Sequence, residues 1–355
     1  AHDNPVLSID GQGYLWIFST SHGRSRPSYI HRSARPYDIS EFVQIQATVE
    51  RSGETEPLDN FSYLQVWAQN GMFSSFFTHY NDPAGRTLFY MNSRDGRRWS
   101  EWTRLAAIDE GHYHVSAVNG GVAGVALNYH PMGKGLNWRT NLYYIQSSDY
   151  GRTWTTVAGE KLTLPLNAPQ NAALIADYER DGKNVYMKDI RYDDAGRPVI
   201  LCLTSDGYHA GPKGGIRRWM TIRWTGDEWV RNEVAKSDSN YDMGSLYLEP
   251  GKWRVIAPTA TGPQPYNPGG EIAMWESVDH GVNWRQTRQL TRDSEFNHTY
   301  VRAPLNAHTE FYAIWADGHG RRPSDSRIYF CSQDGRVFRL PAKMMHEMER
   351  PVLVE

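Results

Sequence analysis

Cysteine is almost absent from this chain: two in 355 residues. A disulfide-stapled scaffold is therefore excluded, and so is a cysteine-based metal cluster. Cys202 and Cys331 both stand in apolar strand contexts, VILCLTS and IYFCSQ, which reads as two buried free thiols. No apolar run approaches 18 residues, so no helical membrane span is expected. Net charge is only -2, which offers no electrostatic ground for nucleic acid or an anionic membrane as partner. Helix signals are scarce, with KMMHEMER (343–350) the one short candidate. No G-x-S-x-G, phosphate-binding loop or dinucleotide fingerprint occurs. No charged-then-apolar leader precedes the first strand-like residues. A secreted or periplasmic protein whose signal peptide is already removed is the expectation.

What is abundant is aromatic and glycine: 13 Trp, 21 Tyr and 31 Gly. They fall into a repeat. Ser147-x-Asp149-x-Gly151-x-x-Trp154 returns as Ser277-x-Asp279-x-Gly281-x-x-Trp284. Shorter versions are Ser93-x-Asp95-Gly96-x-x-Trp99 and Ser332-x-Asp334-Gly335-x-x-Phe338. Each copy reads as a tight turn between strands. Asp accepts from turn amides, Gly supplies an unusual backbone shape and Ser adds a local bond. The closing aromatics Phe42, Trp99, Trp154, Trp229, Trp284 and Phe338 are spaced by 57, 55, 75, 55 and 54 residues. That spacing predicts six blades of four strands each in one domain, 1–355, with a loop insertion at Ala210–Ile216 in the long step. The turn resembles the Asp-box of sialidase-like β-propellers, so the expected fold is an all-β propeller of four-stranded antiparallel blades. Six blades are counted from the repeat. A seventh, assembled from the two termini, is the count that the resemblance below favours.

In such a fold the start of each first strand and the end of each second strand share one rim, with the Asp-box turns on the other. Eight of 13 histidines follow that rim: His2, His112 or His114, and His298 at first-strand starts; His22, His79, His130, His209 and His319 at second-strand ends. Asn4, Arg24, Tyr63, Arg139, Asn141, Tyr241 and Arg302 join them. Arginine forks pair carboxylates, and His and Tyr exchange protons. The rim therefore suits an acidic sugar. His112-x-His114 is the one close histidine pair. Strand alternation is compatible with a structural divalent metal there, but no third ligand is indicated, and no metal or other cofactor is expected.

Longer motifs carry a family resemblance over nearly the whole chain. They include His2-Asp3-Asn4-Pro5, Ser21-His22-Gly23, Asn128-Tyr129-His130-Pro131, Arg139-Thr140-Asn141, Asn240-Tyr241-Asp242 and Asn297-His298-Thr299-Tyr300-Val301-Arg302. These resemble the BNR-repeat propellers of carbohydrate-active enzymes: ulvan lyases, rhamnose–glucuronate lyases and related α-L-rhamnosidases. The resemblance implies a monomeric enzyme cleaving the L-rhamnose-α-1,4-D-glucuronate bond of an acidic plant or algal polysaccharide. It implies β-elimination first, hydrolysis of terminal rhamnose second and a non-catalytic glycan-binding propeller third. It places catalysis on His2, His22 and Tyr63, with His79 where the family carries arginine. Substrate contacts then fall to Asn4, Arg24, His130, Arg139, Asn141, Tyr241, His298 and Arg302, with Arg139 or Arg302 neutralising the uronate. His31 in SYIHRS is the candidate for the rhamnosidase reaction on the opposite face.

Overall fold

A computed structural model describes residues 4–23, 26–82 and 85–354. Among them are 28 β-strands, one 3-10 turn at Pro212–Gly214 and no α-helix. The KMMHEMER segment is irregular. Eight residues, closed by Pro351, fall short of the length at which an exposed helix holds itself together.

The chain forms two compact units, Ala1–Asp177 and Tyr178–Glu355. Each carries three consecutive antiparallel meanders, the blades expected of a β-propeller. In the first unit, one sheet runs Val6–Ile9, Leu15–Ser19, Tyr29–Ser33, Phe42–Ile45. The next runs Ser62–Gln69, Met72–Asp82, Gly85–Ser93, Thr103–Ala106, and the third His114–Asn119, Val122–Tyr129, Thr140–Ser147, Leu174–Ala176. A small extra sheet joins the hairpin Thr48–Arg51/Glu54–Pro57 to Arg98–Trp99, the latter pairing in parallel with Thr48–Arg51. In the second unit the meanders begin at Asn184–Tyr192, Ser245–Glu249 and His298–Arg302. The C-terminal strand Val352–Val354 adds to Val337–Arg339 as a fifth strand of the last sheet.

One second strand, in the first meander of the second unit, is enclosed throughout. Pro198–Ser205 is buried at all eight positions, so its sequence is a continuous apolar run and not an alternating one. Cys202 and Cys331 are buried free thiols, and burial pushes both up to about 12.

The Asp-box turns are built from local bonds. Ser147 Oγ donates to Asp149 Oδ1 (2.8 Å) and accepts from Gly151 N (2.8 Å). Asp149 Oδ1 accepts from Thr153 N (2.9 Å), and Trp154 Nε1 donates to Gly151 O (3.2 Å). The Ser277 turn repeats all four, at 2.7, 2.9, 2.9 and 3.1 Å. Gly151 has φ 85°, and a Cβ there would lie 2.3 Å from the Tyr90 ring, so both backbone shape and close approach demand glycine. The eight-residue strand Thr140–Ser147 separates Arg139 from Asp149, a span of roughly 26 Å. Arg139 and the turn thus stand at opposite ends of their sheet, as the rim expectation required.

Candidate active site

The candidate site lies at the rim end of the second and third sheets of the first unit. Tyr63 is the second residue of Ser62–Gln69, and the pairing register skips between Ser62 and Gln65. Tyr63 takes φ 51°, in the left-handed region, at a cost of about 1–3 kcal/mol. This bulge turns its ring among those of two other sheets. The Tyr63 ring centroid lies 6.0 Å from His22 and 5.2 Å from Tyr113, perpendicular to the latter. On the neighbouring strand His79 pairs with Thr87, and the next residue, Tyr80, interacts with Arg86. Tyr80 Oη is 3.5 Å from His22 Nε2.

Two guanidiniums converge on one phenol. Arg86 lies 4.4 Å and Arg139 3.9 Å from the Tyr113 ring centre. His130 meets the same ring at 5.2 Å. Tyr113 itself is pinned by its neighbours. Its amide donates to Asn128 Oδ1 (3.2 Å) and its carbonyl accepts from Asn128 N (3.2 Å). Next to it His112 is sealed in: Nε2 accepts from Ile108 N (2.9 Å) and Nδ1 donates to Asn128 O (2.8 Å). With both ring nitrogens bonded to backbone, His112 is a neutral spacer and has none left for a metal. Among the described residues no three His, Cys, Asp or Glu converge as a metal site. Gly111, at φ 118°, lets this loop close on Arg86; a Cβ would come within 2.6 Å of Arg86 Cβ.

The electrostatics separate the two tyrosines. Burial, with Tyr113 and Tyr80 nearby, pushes the Tyr63 hydroxyl well above its ordinary range. Burial also works to raise Tyr113, but Arg139 and Arg86 outweigh it and the net shift is downward. Paired groups driven apart in this way are how proteins divide acid from base. Burial, Arg86 and Arg139 push His130 down to about 2, so it stays neutral beside them.

Arg86 is the unusual member. It is 3% exposed, its Nη2 has no hydrogen-bond partner, and no ion pair among the described residues involves it. A buried cation without an anion is costly, and a ligand carboxylate is what would offset it. The site therefore presents a cationic seat, a phenol inclined to lose its proton and a phenol inclined to keep it.

Of the residues expected from sequence, His22, Tyr63, His130 and Arg139 come together here. His2 and Arg24 lie outside the described residues. His79 does not join the cluster. One residue from Tyr80 on its strand, it faces the other side of the sheet, with its ring 4.9 Å from Trp102 and 6.3 Å from Phe89. The guanidinium nearest this strand in the cluster is Arg86, across the hairpin. Asn4 is exposed, and its carbonyl accepts from Thr20 Oγ1 (3.4 Å). Asn141 is wholly buried, its Nδ2 donating to Tyr143 Oη (3.3 Å). His31 sits mid-strand between Ile17 and Gln44.

Tyr241, His298 and Arg302 belong to the second unit. There His298 is buried: Nδ1 accepts from Trp315 Nε1 (2.9 Å) and Nε2 donates to Ser294 Oγ (2.9 Å). An indole N–H only donates, so this tautomer is fixed. Ser294 passes the chain on to Glu271 Oε2 (2.8 Å). His298 thus holds a loop and is closed to substrate, a correction to its expected role. Arg302 lies 5.3 Å from the Tyr300 ring, and Tyr241 is 5.9 Å from Tyr186. Tyr80, Arg86 and Tyr113 were not anticipated. The one sequence signal for Arg86 was a charged residue heading the otherwise apolar strand GRTLFYMNS.

Comparison with known proteins bears on this geometry. The family model described as BNR repeat-containing family member matches residues 1–237. An ulvan lyase of Nonlabens ulvanivorans is 26% identical over 335 residues, covering 81% of this chain and 64% of that protein. This chain therefore spans slightly less than two thirds of that relative's length. An ulvan lyase of Alteromonas sp. (strain LOR) is 25% identical, covering 95% of this chain and 73% of that one. Among solved structures, that of a PL25 ulvan lyase superposes with a TM-score of 0.73 at 20% identity, over 94% of this chain and 79% of the other.

Proposed function

We propose that this chain, which belongs to the BNR repeat-containing family, is a polysaccharide lyase that cleaves rhamnose–glucuronate linkages in an acidic glycan of the ulvan type. The observation that carries the reading is Arg86: a buried guanidinium with no counter-charge, beside two tyrosines whose proton affinities are driven apart. Relatives named ulvan lyases, and a similar fold solved bound to -[GlcA(1-4)Rha3S]-, support the substrate class.

In this reading the uronate carboxylate sits against Arg86, with Arg139 reinforcing it. Neutralising that carboxylate acidifies the proton on C5. Tyr113, the phenol that the two guanidiniums make easiest to ionise, takes that proton as its phenolate. The C4–O bond breaks as the C4=C5 double bond forms. The leaving oxygen takes the proton from Tyr63, which burial has kept protonated, and His22 beside it relays the replacement proton. No carboxylate pair of the glycosidase kind is needed.

Product analysis on ulvan and on gum arabic side chains tests this. Elimination gives one ultraviolet-absorbing unsaturated uronate for each new reducing end. New reducing ends without absorbance would mean hydrolysis and overturn the proposal.

A further inference from the structure

Elimination leaves the cluster one proton out of place. Tyr113 has gained a proton and Tyr63 has lost one, so the next turnover waits until Tyr63 is protonated again. Histidine is the side chain suited to collect a proton from water near neutral pH, and His22 is partly exposed. A third hydroxyl stands between the two. The His22 and Tyr63 rings meet edge to face, 6.0 Å between centres. His22 Nε2 lies 3.5 Å from Tyr80 Oη, and the same Tyr80 hydroxyl hydrogen-bonds with Tyr63 and Arg86.

The backbone holds this arrangement. Ser21 N donates to Phe61 O (3.1 Å), and Asn60 Nδ2 donates to Gly23 O (2.9 Å). These two bonds fix the residues on either side of His22 to the strand start that carries Tyr63. Tyr80 closes the triangle from the second strand, its ring 5.7 Å from that of His22. A phenol both accepts and donates, so it can take a proton on its oxygen while releasing its own. Burial holds the Tyr80 hydroxyl above its ordinary range, so at neutral pH it has a proton to release.

Resting on the lyase reading, we infer that Tyr80 is the relay that returns a proton from His22 to Tyr63 after each elimination. The Tyr80 O–H bond breaks as its proton passes to the Tyr63 phenolate. Tyr80 is restored by the Nε2 proton of the His22 imidazolium. His22 then takes a proton from water, and Tyr113 gives its own up to water. One proton enters and one leaves, so the balance closes with solvent alone. Tyr80 acts through Tyr63, not on the sugar, and is a positioning residue.

Rapid mixing of the whole protein with excess ulvan, followed by ultraviolet absorbance, tests this. Tyr80→Phe keeps the ring and removes the relay. It gives a burst of one unsaturated product per enzyme at the wild-type rate, then a steady state at least about tenfold slower, with kcat/KM unchanged. Burst height counts folded sites, so misfolding lowers the height, whereas relay loss lowers only the slope that follows. Tyr80→His puts back a group able to pass a proton and recovers part of that slope. His22→Ala gives the same burst as Tyr80→Phe, and the double variant is no slower than either single one. Added imidazole restores steady turnover in His22→Ala but not in Tyr80→Phe. A Tyr80→Phe protein of native Tm whose burst rate falls with its slope, an unchanged slope, or rescue of Tyr80→Phe by imidazole overturns the relay and leaves the lyase reading standing. Wild-type protein that releases reducing ends without absorbance overturns the lyase reading itself.

Discussion

Arg86→Gln separates the roles assigned to the central cluster. The guanidinium carbon stands 4.4 Å from the centre of the Tyr113 ring. A unit charge about 5 Å from the phenolate, at an effective dielectric near 20, is worth about 3 kcal/mol. With glutamine in its place, Tyr113 is harder to ionise by that amount. At neutral pH kcat falls about 100-fold, and the ascending limb of the pH–rate profile moves toward alkali. Activity then partly returns at high pH. KM rises as well, because the carboxylate seat has lost its fork. Arg86→Lys keeps the charge and hence the profile, and shows only the KM defect. Stability moves the other way. Arg86 is 3% exposed and unpaired, so its removal relieves a desolvation cost, and Tm rises by about 2 °C for each kcal/mol regained. The assay is ultraviolet detection of the unsaturated product across pH, alongside calorimetry. An unshifted profile with a uniformly lower rate, or a sharp fall in Tm, would show Arg86 to be a structural prop and refute the reasoning.

Tyr63→Phe removes the proposed acid; kcat falls by at least about 100-fold while KM changes little, read from initial rates on ulvan. Acid stability should follow the buried imidazoles. Burial lowers His112 to about 4, so its contribution is present above its unfolded pKa near 6.5 and is lost as pH falls from there to about 4. That is about 3 kcal/mol for this one wholly buried group, measurable as Tm against pH, and a flat profile over that window would contradict it. Gly151→Ala places a methyl 2.3 Å from the Tyr90 ring at φ 85°; it costs at least about 1–3 kcal/mol in denaturant unfolding and leaves the activity of the folded fraction unchanged.

What could be read in the chain beforehand divides by the distance over which its bonds act. The Asp-box turns were legible because every bond in them closes within five residues: Ser147, Asp149, Gly151 and Trp154 specify the turn whatever surrounds it. Blade spacing and the opposed ends of Thr140–Ser147 followed from those turns. Apart from His2, outside the described residues, the expected rim histidines stand at or near the strand ends assigned to them, but their duties were not legible. His298 is closed off by Trp315, 17 residues away, and His112 by Asn128, 16 away. Nothing in either local sequence separates a histidine that holds a loop from one that meets substrate.

The His79 reading shows the same limit at one-residue resolution. In a strand, neighbouring side chains face opposite sides, so a shift of one position exchanges the catalytic cluster for the Trp102 side of the sheet. Position alone could not decide between His79 and Tyr80. The contacts do, because Tyr80 meets His22 and Arg86 while His79 meets Trp102 and Phe89. Arg86 in turn reads as a strand-end cation until Tyr113 and Arg139 are brought onto it from the next sheet. Turns that specify themselves carry the scaffold here, and charges that no local neighbour neutralises carry the chemistry. A buried cation left without an anionic partner is stable only because the sheets around it are, and that surplus is what a substrate carboxylate can draw on.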